Sequence, residues 1–260
     1  TLPGAIDGLI YYVKPDFNQF SIKTVIAAVG QLFYSMSLAM GIMITYGSYM
    51  RKEDNIESSV RQIEVFDTLV AFLSGLIIVP AVFVFSGGDE NALNAGPSLM
   101  FITLPNVFKE MLGGQIVGAV FFLLVVLAAM TSSISLMETV VSIVEERFHW
   151  KRIPSCLIVT GISFLIGLLS VFGYSIWSDF TIFHMQFLDF FDYISNNIMM
   201  PIVALMTCVL VGFVVKTTFV EDEIEKNARF RVKGLYRVMI KFICPICMLL
   251  ILFSALFLKL

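Results

Sequence analysis

Apolar residues in this chain fall in long, unbroken runs, separated by short polar stretches. A helix needs roughly 20 apolar residues to cross a bilayer. Six runs qualify, at approximately 20–48, 66–86, 113–144, 153–173, 183–215 and 236–258. Residues 1–19 read as an external loop. Residues 86–112, with Gly96-Pro97 and the amphipathic Phe101-Ile-Thr-Leu-Pro105, read as an external loop carrying one or two short helices. Residues 216–235 read as a cytoplasmic loop, and 236–260 as a final transmembrane helix. The pattern predicts an all-α membrane protein with five spans between 20 and 215 and a sixth after them.

Composition removes the soluble alternative. Hydrophobic residues make up 58% of the chain and charged residues 14%, where a soluble domain carries about 25% charge. The mean hydropathy is +0.90. Positive charge then orients the spans. Stretches 49–63, 145–152 and 216–241 hold thirteen of the seventeen Lys and Arg residues. Placing them in the cytoplasm leaves Lys14, Lys23, Lys109 and Lys259 outside, with both chain ends external. A chain that starts outside without a signal peptide leads one to expect an odd number of earlier spans. The net charge of -3 gives no reason to expect a nucleic-acid partner. Cys244-Pro-Ile-Cys247 has a metal or redox spacing, but it lies in an apolar run without a second pair, so it reads as helix filler.

Polar groups inside spans are costly and tend to be functional. The first run is longer than one bilayer requires, and Tyr34-Ser35-Met-Ser37-Leu-Ala-Met40-Gly41 sits in its middle. Two readings stand. The helix breaks near Ser35–Gly41 and exposes carbonyls that bind ions, or one long tilted helix lets its serines bond their own backbone. Asp67, beside the start of the second run, is either a cap for Thr68 or an ion-binding or proton-titrating carboxylate. In the third run, Ala128-Ala-Met-Thr131-Ser132-Ser133-Ile-Ser135 makes a hydroxyl stripe. The Ala128 carbonyl with the Thr131 and Ser132 hydroxyls would offer three oxygens to a hard cation on one face. The alternative is packing through small residues. Glu138, two turns on, fits a buried polar network. Asp189 and Asp192 form either a gate or a solvated face, and His184 reads as interfacial and structural.

Several of these segments, in order and spacing, resemble the neurotransmitter:sodium symporter family, most closely its bacterial amino-acid transporters. They are Thr1-Leu-Pro-Gly-Ala5, Gly30-Gln-Leu-Phe-Tyr-Ser-Met-Ser37, Ile44-Thr-Tyr-Gly-Ser-Tyr49, Asp67-Thr-Leu-Val-Ala71, Phe101-Ile-Thr-Leu-Pro105 and Ala128-Ala-Met-Thr-Ser-Ser133. The resemblance implies a leucine-transporter-like fold of two inverted five-helix repeats. This chain would be the second repeat plus one further helix, without the first five helices.

The resemblance also implies roles. Tyr34 would be the lid over substrate. Ser35 would be a ligand of the first sodium, with Ser37, Met40 and Leu136 lining the substrate pocket. Asp67 would sit at the first sodium and, as a fixed negative charge, make chloride unnecessary. Ala128, Thr131 and Ser132 would hold a second sodium. Phe101 would lie in the outer closing loop, and Asp192 would be the acid of an external gate. Ala39 departs from the family's Ser-Leu-Gly pattern, and its methyl group restricts backbone angles at the break. The implied function is sodium-coupled symport of an amino acid across the cell membrane by a multi-pass protein that is not an enzyme. Its partners would be the amino acid, membrane lipid and the remaining helices of the transporter. A passive ion channel, or a non-transporting fragment or subunit of a split transporter, stands as the alternative.

Overall fold

A computed structural model describes residues 4–15, 17, 20–85, 99–177, 179–183 and 185–258. The expectations for His184, Lys259, residues 1–3 and the loop stretch 86–98 lie outside the described residues. The described chain is almost wholly helical. In order come α1 (Ala5–Val13), α2 (Ile22–Ser35), α3 (Ile42–Tyr49), α4 (Ile56–Phe85), α5 (Leu104–Glu110), α6 (Gly114–Phe148) and α7 (Arg152–Gly173). Then follow α8 (Phe187–Val214), α9 (Thr217–Glu225) and α10 (Lys233–Leu256). Of these, α4, α6, α7, α8 and α10 are long and apolar enough to cross a membrane. The first of the six runs is divided between α2 and α3.

Helix ends differ from the apolar runs for a physical reason. Hydropathy marks only the lipid-matched centre, while polar turns continue the same helix beyond it. Thus α4 begins at Ile56, and Asn55 Oδ1 accepts the Ser58 N–H at 2.9 Å as its cap. Asp67 is therefore interior to α4 and does not stand at its N-terminus. Likewise α6, at 35 residues, is about 52 Å long against a hydrocarbon core of about 30 Å. Residues 1–19, expected as loop, contain the short helix α1.

The chain forms two compact units. The first comprises residues 1–21 and 62–132, the second 22–61 and 133–260. In the first, α1 lies tight on α4. A Cβ on Gly8 would come within 2.8 Å of Pro80 Cα, so only glycine allows this approach. Tyr11 stacks on Phe83 with centroids 5.6 Å apart. Val82, Leu104 and Val107 form the buried centre, with Phe108 and Phe121 around it.

In the second unit α8 and α10 run antiparallel. Gly212 approaches Ile240 at one end, and the Tyr193 hydroxyl donates to the Ala255 carbonyl at 3.1 Å at the other. Met200, Pro201, Ala204, Cys208 and Met248 are buried along these helices. All four cysteines are free, and the Cys244/Cys247 pair sits inside α10.

Three prolines share one local rule. Pro105, Pro201 and Pro245 each follow a widened, π-type turn, at Leu99–Thr103, Tyr193–Met199 and Met239–Ile243. A proline ring clashes with the carbonyl four residues back and has no N–H to give it. Widening the preceding turn relieves that clash without ending the helix.

Glu221 of α9 is 2% exposed and takes two bonds from Arg237 of α10, at 2.8 and 2.6 Å. The Arg237 guanidinium holds the Glu221 carboxyl below the usual carboxylate range, against the opposing pull of burial, with Thr217 assisting. A depressed folded value means that this pair stabilises fully above the unfolded carboxylate range. That stability is lost as pH falls through the folded value. Thermal unfolding of the wild type and Glu221→Gln should therefore differ most near neutral pH and converge as pH falls below about 4. A difference independent of pH would refute this role.

Candidate functional site

Residues 36–41 interrupt the helix between α2 and α3. Backbone angles there leave the right-handed region at Ser37 (φ 53), Ala39 (φ 61) and Gly41 (φ 82). The Ser37 and Leu38 N–H groups still reach back to the Tyr34 and Phe33 carbonyls, both at 3.0 Å. The ladder then stops until Thr45 N–H meets the Gly41 carbonyl at 2.9 Å. Of the two sequence readings, the structure takes the broken helix. Ser35 ends α2, and Ser37 and Met40 lie half-buried in the break. Left-handed geometry at Gly41 suits glycine, and a Cβ there would also meet Thr139 Cγ2 at 2.8 Å. At Ala39 the same geometry falls on a residue with a side chain, where it costs roughly 1–2 kcal/mol.

The second cluster lies on α6. Thr131 Oγ1 donates to the Ala128 carbonyl at 2.9 Å, which brings two of the three expected oxygens side by side. Ser132 stands four residues after Ala128, on the same face of the helix. Thr131, Ser132 and, one turn on, Leu136 are all exposed.

Further along α6, α3 is fastened by matching spacing. Tyr46 and Tyr49 are one turn apart, as are Ser135 and Glu138. Tyr46 shares a 2.6 Å hydrogen bond with Ser135, and the Tyr49 hydroxyl donates to Glu138 Oε1 at 2.6 Å. Arg152, the first residue of α7, donates to both Glu138 oxygens at 3.2 and 2.6 Å, and lies 3.7 Å from Glu145. Sequence reasoning singled out Glu138 but missed Tyr49 and Arg152. The shared three-residue spacing of the two pairs was the available signal.

A cavity of about 450 Å³ opens between α2, α8 and α10 of the second unit. Tyr34 and Asp192, expected as lid and gate, both line it, together with Lys23, Gln31, Asn196 and Ser254. Asp192 accepts a hydrogen bond from Asn196 Nδ2 at 2.6 Å. Ser254 Oγ is buried without a hydrogen-bond partner among the described residues. Tyr174, just past α7, has its hydroxyl pKa pushed up by burial and by Asp189.

The remaining site residues belong to the first unit. Asp67 is half-buried within α4. Phe101, in the widened turn before α5, stacks on Phe122 with centroids 6.2 Å apart. So Tyr34, Ser35, Ser37, Met40, Leu136 and Asp192 belong to one unit, and Asp67, Phe101, Ala128, Thr131 and Ser132 to the other.

Relief of strain at the break is measurable. Ala39→Gly should raise stability by roughly 0.5–1 kcal/mol, the left-handed cost less the added freedom of the unfolded chain. Gly41→Ala should lower it by about 2 kcal/mol or more, through strain and the Thr139 clash. Thermal unfolding in detergent reads both; an unchanged Gly41→Ala, or a destabilised Ala39→Gly, would contradict this geometry.

Comparison with known proteins follows the same lines. A solved structure of MhsT in complex with L-phenylalanine superposes with a TM-score of 0.84 at 30% identity, covering 97% of this chain and 56% of that one. An uncharacterized sodium-dependent transporter of Haemophilus influenzae is 34% identical over 258 residues, 99% of this chain and 55% of the relative. A sodium-dependent nutrient amino acid transporter 1 of Drosophila grimshawi is 26% identical over 258 residues, covering 39% of that protein. The chain thus spans about half the length of the bacterial relatives it matches, or less of the insect one. The model of the sodium:neurotransmitter symporter family matches residues 1–259. By its sequence and its leucine-transporter-like fold, the chain belongs to the sodium:neurotransmitter symporter family, a family of transporters rather than enzymes.

Proposed function

We propose that this chain is the second half of a carrier that moves an amino acid across the cell membrane, driven by sodium. The six-residue break between α2 and α3 carries the proposal. It puts backbone with three left-handed positions in the middle of an apolar run, where groups released from the helix ladder must find other polar partners. Ser35 would contribute to one sodium beside the substrate carboxylate, and the Asp67 carboxylate would remove the need for chloride. Ala128, Thr131 and Ser132 would hold a second. Tyr34, Ser37, Met40 and Leu136 would surround the substrate, with Phe101 and Asp192 in the outer closing elements. The first five helices would complete both sites, and charge asymmetry would put both ends of this chain outside.

No covalent step is involved. Sodium and substrate would act by binding outward- and inward-facing states unequally. The names of the relatives support the cation and the substrate class. A passive channel would conduct ions without accumulating substrate, and a non-transporting fragment would do neither.

The test is uptake of a mixed, labelled amino-acid pool by the complete gene product in proteoliposomes. An inward sodium gradient should drive accumulation, with chloride or gluconate as the anion. Thr131→Ala with Ser132→Ala should raise the half-saturating sodium concentration at least about tenfold, or 1.4 kcal/mol. No accumulation under the gradient would sink the symport reading, and unchanged sodium affinity would sink the second cation site.

A further inference from the structure

The loop from α9 into α10 is the most basic part of the chain. From Lys226 to Lys241 the loop and the start of α10 hold Lys226, Arg229, Arg231, Lys233, Arg237 and Lys241, and no acid. Three of these charges are matched by carboxylates of α9. Arg237 binds Glu221, Lys233 binds Glu225 at 2.6 Å, and Lys226 binds Glu223. Arg229 and Arg231 are exposed and have no carboxylate partner among the described residues. They flank Phe230, which is half-buried and packs edge-on against Tyr236 at 5.5 Å. Phe230 is thus turned onto α10 while its two neighbours stand in solvent.

The apolar surroundings complete the picture. Val232, next to Arg231 in the chain, is 52% exposed, and Leu235, in the first turn of α10, 60%. Both arginines immediately precede α10, a helix apolar enough to span a bilayer. Exposed apolar side chains next to unmatched guanidinium groups, at the mouth of a spanning helix, suit the boundary between acyl chains and headgroups. Guanidinium groups also bind phosphate oxygens in paired fashion.

We propose that Arg229 and Arg231 form a binding site for the phosphate of an anionic phospholipid headgroup, with Val232 and Leu235 resting against the acyl region. The partner is a lipid of the surrounding bilayer. The site is separate from the substrate and cation residues described above and does not depend on transport.

The test uses the full-length transporter in detergent, titrated with a soluble short-chain phosphatidylglycerol, with phosphatidylcholine of the same chain length, and with inorganic phosphate. Thermophoresis reads binding, and thermal unfolding without lipid confirms that each variant is folded. Phosphatidylglycerol should bind more tightly than phosphatidylcholine, and 0.5 M salt should weaken it. Arg229→Gln with Arg231→Gln should weaken phosphatidylglycerol binding about twenty-five-fold, two charges at roughly fivefold each. Arg229→Lys with Arg231→Lys should recover most of it. Equal affinity of the wild type and the double Gln variant for phosphatidylglycerol would overturn the proposal, as would equal binding of phosphatidylcholine or of inorganic phosphate.

Discussion

An interrupted helix in an apolar span depends on finding other partners for its backbone. In hydrocarbon there is no water to take over the N–H and carbonyl groups that the ladder abandons. Here residues 36–41 leave the ladder through three left-handed positions. Such a break persists only where the flanking halves are fixed from outside. For α3 the fixing partner is α6, through Tyr46 to Ser135, Tyr49 to Glu138, and the close seat of Gly41 on Thr139. Glu138 within a spanning helix would be costly alone. Arg152 neutralises it with two hydrogen bonds, so the anchor of α3 is carried by a matched pair.

The same economy of backbone bonds governs the long helices. Where proline removes a donor in α8 and α10, the preceding turn widens and the helix goes on. That continuity keeps α8 and α10 in register along their length, from Gly212 against Ile240 to Tyr193 against Ala255. Asp192 and Asn196 lie in the widened turn of α8 or at its edge, so the proline rule also sets where those polar side chains meet the cavity.

The six apolar runs and the position of the break could be read from the sequence because both are local. Hydrophobic length marks a span, and Ser35, Ser37 and Gly41 in mid-run mark its interruption. Asp67 was ambiguous because hydropathy starts the second span at residue 66, whereas Asn55 caps a helix whose first turns are polar. Tyr49 and Arg152 were missed because their partner lies on another helix, and a single sequence records pairing across space only through faint coincidences of spacing. The short helix α1 was missed because nine residues are too few to register as a span. The α6 oxygens were legible as a group. That Thr131 bonds Ala128 itself could be seen only in three dimensions.

The central proposal is that the break between α2 and α3 binds a cation. Hydrogen–deuterium exchange of the Met36–Gly41 amides in the complete transporter, compared in sodium and in potassium, tests it most directly. The account predicts markedly slower exchange in sodium at these residues, with α9 amides unchanged. Equal exchange in the two cations would contradict it.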